Sequence, residues 1–157
     1  MPYNPSVKHK LIRDSVRHFA ETELAPIAAE IDRNAVFPVE VIDKMKKLNY
    51  FGLQVPKEFG GAALDSVSAA IVVEEISRVC AAVGLCVTVH NGVAVFPFLQ
   101  FGNKRQNAKY LPRLASGEMI GAFSLTEANA GSDAGSVETT AVKNGNDYVL
   151  NGTKIFV

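Results

Sequence analysis

Residues 121–136, GAFSLTEANAGSDAGS, concentrate the residue types that can meet an anionic ligand. Gly131 and Ser132 are small enough to let backbone N–H groups approach a phosphate closely. The hydroxyls of Thr126, Ser132 and Ser136 can donate to anionic or carbonyl oxygens. Each hydrogen bond to a charged acceptor contributes about 1.5 to 3 kcal/mol, so two or three would hold a diphosphate-bearing molecule. Composition alone does not separate such a loop from a glycine-rich surface turn that enters a β-domain. Other chemistry-bearing residues are sparser. Glu127 reads as part of the structural shell of this stretch rather than as a base. His9 and His18 are nine apart and halfway round a helix from each other, so no metal site is expected. Cys80 and Cys86 form no CxxC or Cys/His cluster and read as small apolar core residues in a reducing compartment. His90 lies in an apolar run, where a core histidine bonded to a backbone carbonyl is the bland reading. Lys104, Arg105 and Lys109 read as a solvated helix face.

The elements that position these residues follow from periodicity. Between residues 7 and 31 the apolar positions recur at steps of three and four, which predicts one long amphipathic helix. Pro26 removes a backbone donor inside it, so a kink or break is expected near residues 22–24. A second helix is expected to open with Pro38 at its first position, to bury Ile42, Met45 and Leu48, and to end near Asn49. Gly52, Pro56, Gly60 and Gly61 make residues 50–64 an ordered loop. Asp65 or Ser66 caps a third helix, whose face of Ile71, Val72, Ile76, Val79 and Cys80 surrounds an exposed pair, Glu74 and Glu75. Gly84 marks its end or a close helix contact. A helix over residues 85–101 is apolar nearly all round, which predicts the middle of a bundle. Gly102 stops it. Residues 104–115 form a polar-faced helix that buries Tyr110, Leu111 and Leu114, with Pro112 a local irregularity and Gly117 its end. Beyond Gly117 the pattern changes to strands, with turns at Asn144-Gly145-Asn146 and Asn151-Gly152 around a short strand at 147–150. The expected organisation is an all-helical domain over 1–117 and the beginning of a β-domain over 118–157. Forty residues of open sheet expose edges and one apolar face, so the sequence reads as a fragment, or as a chain whose β part a partner covers.

Composition bounds the function classes. A chain of 157 residues with 48% hydrophobic and 20% charged residues buries a sizeable core. Sixteen basic residues against sixteen acidic ones give no reason to expect nucleic acid or an anionic membrane as the main partner. No charge occurs between Arg78 and Lys104, but Gly84, His90, Asn91, Gly92 and Pro97 interrupt that stretch, so no membrane span is expected. The first twenty residues mix Asp14 with basic residues and carry no apolar run, which fits neither a secretory signal nor a transit peptide.

Three separated strings carry a family resemblance. FSLTEANAGSD, residues 123–133, resembles the first signature of the acyl-CoA dehydrogenase family, and YVLNGTKIFV, residues 148–157, follows at the family's spacing. FPVEVIDKMKKLNYFGLQVPKEFGG, residues 37–61, and FGNKRQNAKYLPRLASGE, residues 101–118, are similar to its helical part. The resemblance implies an N-terminal up-and-down helical domain, a middle β-barrel domain and a C-terminal four-helix domain, so that this mainly α chain is the N-terminal portion of an α+β flavoprotein. It implies FAD as cofactor and removal of the α-proton and β-hydride of an acyl-CoA to give an enoyl-CoA. Phe123, Leu125 and Thr126 match a strand beside the flavin ring, with the Leu125 backbone and the Thr126 hydroxyl on its polar edge. Gly131 and Ser132 match positions near the cofactor pyrophosphate and the bound thioester. Phe156 matches a tryptophan that packs on the flavin and keeps only its aromatic face. His90, Val93 and Phe96, with Val87, Val89 and Val95, fall where the family lines its acyl pocket. Ala128 stands where many relatives have proline. The family's carboxylate base is expected beyond Val157, so no catalytic residue is assigned in this chain and the chain alone is expected to be inactive. The implied partners are an acyl-CoA, an electron-transferring flavoprotein and further copies, as a dimer or homotetramer, in the β-oxidation of fatty acids. The implied place is the cytoplasm, or the mitochondrial matrix in a eukaryote. An acyl-CoA oxidase of the same fold and a non-catalytic helical interaction module are the alternatives.

Overall fold

Two prolines and the turns they force organise the helical part of the molecule. The structure is a computed structural model that describes residues 4–157. Helix α1, Val7–Phe19, starts at a capping box in which the Ser6 hydroxyl accepts from the His9 amide at 3.2 Å and the His9 ring accepts from the Ser6 amide. It passes through a π-turn, Ala20–Leu24, into α2, Ala25–Asn34. Pro26 lies in the first turn of α2 and offers no N–H, and the widened turn is closed instead by the Ala25 amide on the Ala20 carbonyl. The irregularity expected near residues 22–24 is this π-turn, and helical structure runs unbroken through it.

Helix α3, Val39–Lys47, has Pro38 as its cap residue rather than as its first helical residue. It buries Val41, Ile42 and Met45, while Leu48, expected inside, is 48% exposed because it follows the last turn. Residues 50–64 form the ordered loop that their glycines and prolines predict. The Asn91 side chain accepts from the Leu53 amide at 3.1 Å and donates to the Tyr50 and Val87 carbonyls. A Cβ on Gly61 would collide with Val55, so only glycine lets the two backbones meet there.

Helix α4, Ser66–Ser77, is capped by Asp65, whose carboxylate accepts from the Ser68 amide at 2.7 Å. Helices α5, Ala81–Val89, and α6, Phe96–Phe101, form one continuous helix joined by a second π-turn, His90–Val95. Pro97 occupies the place after this turn that Pro26 holds after the first. Gly84 lies within α5 and is the close helix contact, because a Cβ there would overlap Ser77 of α4. Helix α7, Lys104–Ala115, starts at a second capping box, Asn103 with Gln106, and buries Leu111, Leu114 and Ala115.

Two expectations about burial are corrected. Glu75 is not exposed beside Glu74 but 1% exposed, held by Arg13 at 2.5 Å and by Arg17 at 2.9 Å, with Arg78 behind. The residues 81–101 do not lie in the middle of the bundle. Val83, Val87, His90 and Val95 face the core, while Leu85, Val93, Phe96 and Phe101 are 39 to 85% exposed. By length and composition alone this helix is long and apolar enough to cross a bilayer. Its polar side chains His90 and Asn91 are nevertheless bonded within the helical unit.

The chain divides into two compact units between Ala122 and Phe123, so the helical unit runs on past Gly117. Its core is one large cluster centred on Leu24, Ile42, Met45, Phe51, Ile76 and Val87, and a smaller one of Val55, Val95, Leu111, Leu114 and Ala115. In the second unit, strands β1, Thr140–Asn144, and β2, Asp147–Asn151, pair antiparallel with Ala141 opposite Leu150 and Val142 opposite Val149. Gly145, at φ 62°, is the first of two loop residues, the position where a tight hairpin turn needs positive φ. Asn151-Gly152 makes no second turn. Gly152 instead lies so close to Thr139 that a Cβ would not fit. Residues 123–126 form no strand, because their one backbone bond is from the Ile155 amide to the Thr126 carbonyl at 2.9 Å.

Candidate functional site

The two groups of residues singled out by the sequence lie in different units. In the second unit, residues 127–130 close a tight turn with paired backbone bonds between Glu127 and Ala130. Ala128 and Asn129 fill its two central positions without positive φ. Next, the Asp133 carboxylate accepts from the Gly135 amide and from the Ser136 hydroxyl, at 3.1 and 2.5 Å. Ser136 is therefore engaged locally and is withdrawn from the set of open donors.

Glu127 is the hub of this unit. It is 7% exposed and accepts from the Glu138 amide at 2.7 Å, the Thr139 amide at 3.1 Å, the Thr139 hydroxyl and the Lys154 ammonium at 2.7 Å. Lys154 first, then Thr139 and the Glu138 amide, hold its carboxyl down at about 2. A carboxylate so fully bonded and so acidic is unsuited to take a proton from carbon near neutral pH, which agrees with its reading as structural shell.

What remains open is informative. The Leu125 carbonyl accepts from the Lys154 ammonium at 2.9 Å and the Thr126 carbonyl from the Ile155 amide at 2.9 Å. Both acceptors of this dipeptide are thus occupied. Among the described residues the Thr126 hydroxyl, the Ser132 hydroxyl and the amides of Leu125, Thr126, Gly131 and Ser132 donate to no protein group. A Cβ at Gly131 would meet nothing within 4 Å, so a ligand oxygen can reach that backbone. Phe123 and Leu125 are 51% and 38% exposed, and Phe156 is almost fully exposed at φ 56°. This donor-rich, acceptor-poor segment flanked by open aromatic rings fits a flavin edge and a diphosphate.

The helical unit gives a different result for His90. It is fully buried, stands edge-on to the Phe51 ring at 5.1 Å, and makes contact with the Leu114 carbonyl through Nε2 at 3.1 Å. Its Nδ1 accepts from the Gly121 amide at 2.9 Å. These partners require the neutral tautomer with its proton on Nε2, and burial pushes its pKa down. With both nitrogens used, His90 is a core residue and not a substrate contact. Val87 and Val95 are likewise buried core residues, whereas Val93 and Phe96 lie on the open apolar face of the helix. Both cysteines are free and partly buried, and no group of three metal-ligating side chains occurs among the described residues. Sequence reasoning gave no role to Lys154 or to the arginines around Glu75, since only the folded chain reveals which charges meet.

A helical domain that leads into a β-rich unit with an open donor segment defines the class of protein. Profile comparison matches residues 6–118 to the N-terminal domain of acyl-CoA dehydrogenases and residues 122–157 to their middle domain. The chain belongs to the acyl-CoA dehydrogenase family. It is 48% identical to an acyl-CoA dehydrogenase of Bacillus subtilis over 147 residues, 94% of this chain and 39% of that protein. The structure of butyryl-CoA dehydrogenase from Megasphaera elsdenii superposes with a TM-score of 0.89 at 34% identity, over 99% of this chain and 42% of that one. An acyl-CoA dehydrogenase of Bacillus anthracis, solved with FAD, gives a TM-score of 0.84 at 37% identity over 98% of this chain and 27% of that one. The chain spans about two fifths of the length of the curated relatives it matches.

Proposed function

We propose that this chain supplies the helical domain and the first flavin-facing segment of an FAD-dependent acyl-CoA dehydrogenase that converts a short-chain acyl-CoA to its enoyl-CoA. The observation that carries this reading is the Leu125-Thr126 dipeptide, with both carbonyls tied back and its amides and hydroxyl left open. Thr126, with the Leu125 backbone, would hold the polar edge of the flavin. Gly131 and Ser132 would receive phosphate or thioester oxygen, and Phe123 and Phe156 would offer aromatic faces. When bound, FAD supplies a hydride acceptor. The chain's own part is to bind, to orient and to donate hydrogen bonds where negative charge accumulates. Glu127 is not its base, because that carboxylate is consumed by its partners. Val93 and Phe96 would contribute apolar wall to the acyl site. The names of relatives, butyryl-CoA and short-chain acyl-CoA dehydrogenases, support a short acyl group. The reading extends to an electron-transferring flavoprotein as acceptor, to assembly as a dimer or tetramer, to fatty-acid β-oxidation without a membrane span, and to the cytoplasm or mitochondrial matrix.

The test uses the polypeptide translated from the complete reading frame that contains this sequence. It is expected to purify yellow and to bleach when butyryl-CoA is added under argon. A colourless protein that refuses added FAD overturns the reading. Rapid oxygen uptake by the substrate-reduced protein would make it an oxidase instead.

A further inference from the structure

We infer that Lys154 is a positioning residue that aims the Thr126 amide, with Glu127 holding its ammonium in place. The inference rests on the flavin reading for its functional consequence, but its geometry stands in this chain. Lys154 Nζ lies 2.9 Å from the Leu125 carbonyl oxygen and 2.7 Å from Glu127 Oε1. The peptide between Leu125 and Thr126 is planar and trans, so its carbonyl and its N–H point in opposite directions. A cation that fixes the Leu125 carbonyl therefore fixes the Thr126 N–H on the other side of the chain, a donor that meets no protein acceptor among the described residues. The next carbonyl, that of Thr126, is fixed independently by the Ile155 amide at 2.9 Å. One short segment, Lys154 and Ile155, thus sets two consecutive peptide planes.

The side chain suits this task. An ammonium offers three donors from a compact point, two of which are spent on Leu125 and Glu127. Glu127 is itself immobilised by the Glu138 and Thr139 amides, so the ammonium is anchored to backbone at both ends. Because the Ile155 bond is made by backbone, the substitution Lys154→Met removes the first clamp and leaves the second. The segment is then expected to remain folded with one peptide plane free to turn.

Leu125-Thr126 is the one Leu-Thr step in this chain. Labelling with 13C-carbonyl leucine and 15N-threonine therefore gives a single HNCO peak that reports this peptide alone. In the flavin-free chain, Lys154→Met is expected to move or broaden that peak, and Lys154→Arg to restore it in part. In the polypeptide of the complete reading frame, Lys154→Met is expected to weaken FAD binding about tenfold or more, the loss of one charge-assisted bond's worth of order. It is also expected to lower the flavin reduction potential, with Lys154→Arg between. An unchanged HNCO peak in Lys154→Met, or an FAD affinity within about twofold of wild type, overturns the inference. A wild-type protein that binds no FAD, while the peak still moves in the variant, supports the positioning role and sinks the flavin reading instead.

Discussion

The helical unit and the second unit are held together by opposite means. Of the fully buried apolar residues among those described, only Ala130 lies in the second unit, and all the rest, from Val16 to Ala115, lie in the helical one. Every residue of the β1–β2 hairpin is exposed on both faces. The helical unit has an apolar core with one buried charge, Glu75, set at its margin between two arginines that keep part of their surface in water. The second unit has instead a charged centre, Glu127, onto which backbone amides, a hydroxyl and an ammonium converge. One region thus owes its order to excluded water, and the other to hydrogen bonds that orient peptides while leaving several donors unspent.

The sharpest way to break this contrast is to open the apolar core. Phe51→Ala removes a fully buried ring that packs edge-on against His90, and should cost about 3–5 kcal/mol. Thermal unfolding followed by far-UV circular dichroism measures it. A loss below about 1 kcal/mol would show that packing does not govern this unit.

Glu75→Gln tests the buried charge. Glutamine keeps an acceptor oxygen but removes the charge that the partly exposed Arg13 and Arg17 face, and about 2–3 kcal/mol is expected, less than for a fully buried pair. The bond from Arg17, with that from Arg13, lowers the Glu75 pKa below 4.5 against the opposing effect of burial. Its stabilisation is therefore complete above the unfolded-state value and is lost as pH falls below it. The wild type should lose stability on acidification through this window more steeply than Glu75→Gln. Parallel acid titrations of the two proteins would expose a failure of the assignment.

For the second unit the expected effect is local. Glu127 has a folded pKa of about 2, so its contribution is present above the ordinary carboxylate range and fades as pH falls through about 2. Glu127→Gln should speed hydrogen exchange at the Glu138 and Thr139 amides at neutral pH, and should shift global unfolding less than Glu75→Gln does. Equal shifts would erase the distinction between the two units. The smallest effect is a gain. Ala128 occupies the first central position of the 127–130 turn and its amide donates to no protein group among the described residues, so Ala128→Pro should stabilise by about 0.4–1 kcal/mol, read as a small rise in unfolding temperature.

Much of the fold is legible in the sequence where a local rule suffices. Asp65 as a cap, Asn144-Gly145 as a hairpin turn, the loop at 50–64 and the irregularity before Pro26 each follow from residues within one turn of each other. Pro97 carries the same signal as Pro26, yet the helix expected over residues 85–101 is assigned no kink there, because the surrounding apolar run gives no phase to break. Glu75 was misplaced for a related reason. Its partners Arg13 and Arg17 lie about sixty residues earlier, one turn apart on α1, and nothing local marks their meeting. Of the candidate site, the strings that resemble a family drew attention to Thr126, Gly131 and Ser132. The engagement of Ser136 by Asp133 and of both His90 nitrogens by backbone requires the folded chain, since a polar residue's sequence does not state whether its donors are already spent.

The π-turns have a consequence for how this helical scaffold tolerates change in length. Each contains one residue beyond what an α-helix would use, and each ends two residues before a proline. His90 and Val95, five apart, both face inward because of that surplus. Removing Gly92 alone would bring the Pro97 ring against a carbonyl that the wide turn now carries clear of it. Removing Gly92 together with Pro97→Ala would let an ordinary α-helix close with the same side chains inward. Surplus residue and proline therefore form a compensating pair, each harmful alone and neutral together, so a lineage can gain or shed them only in company.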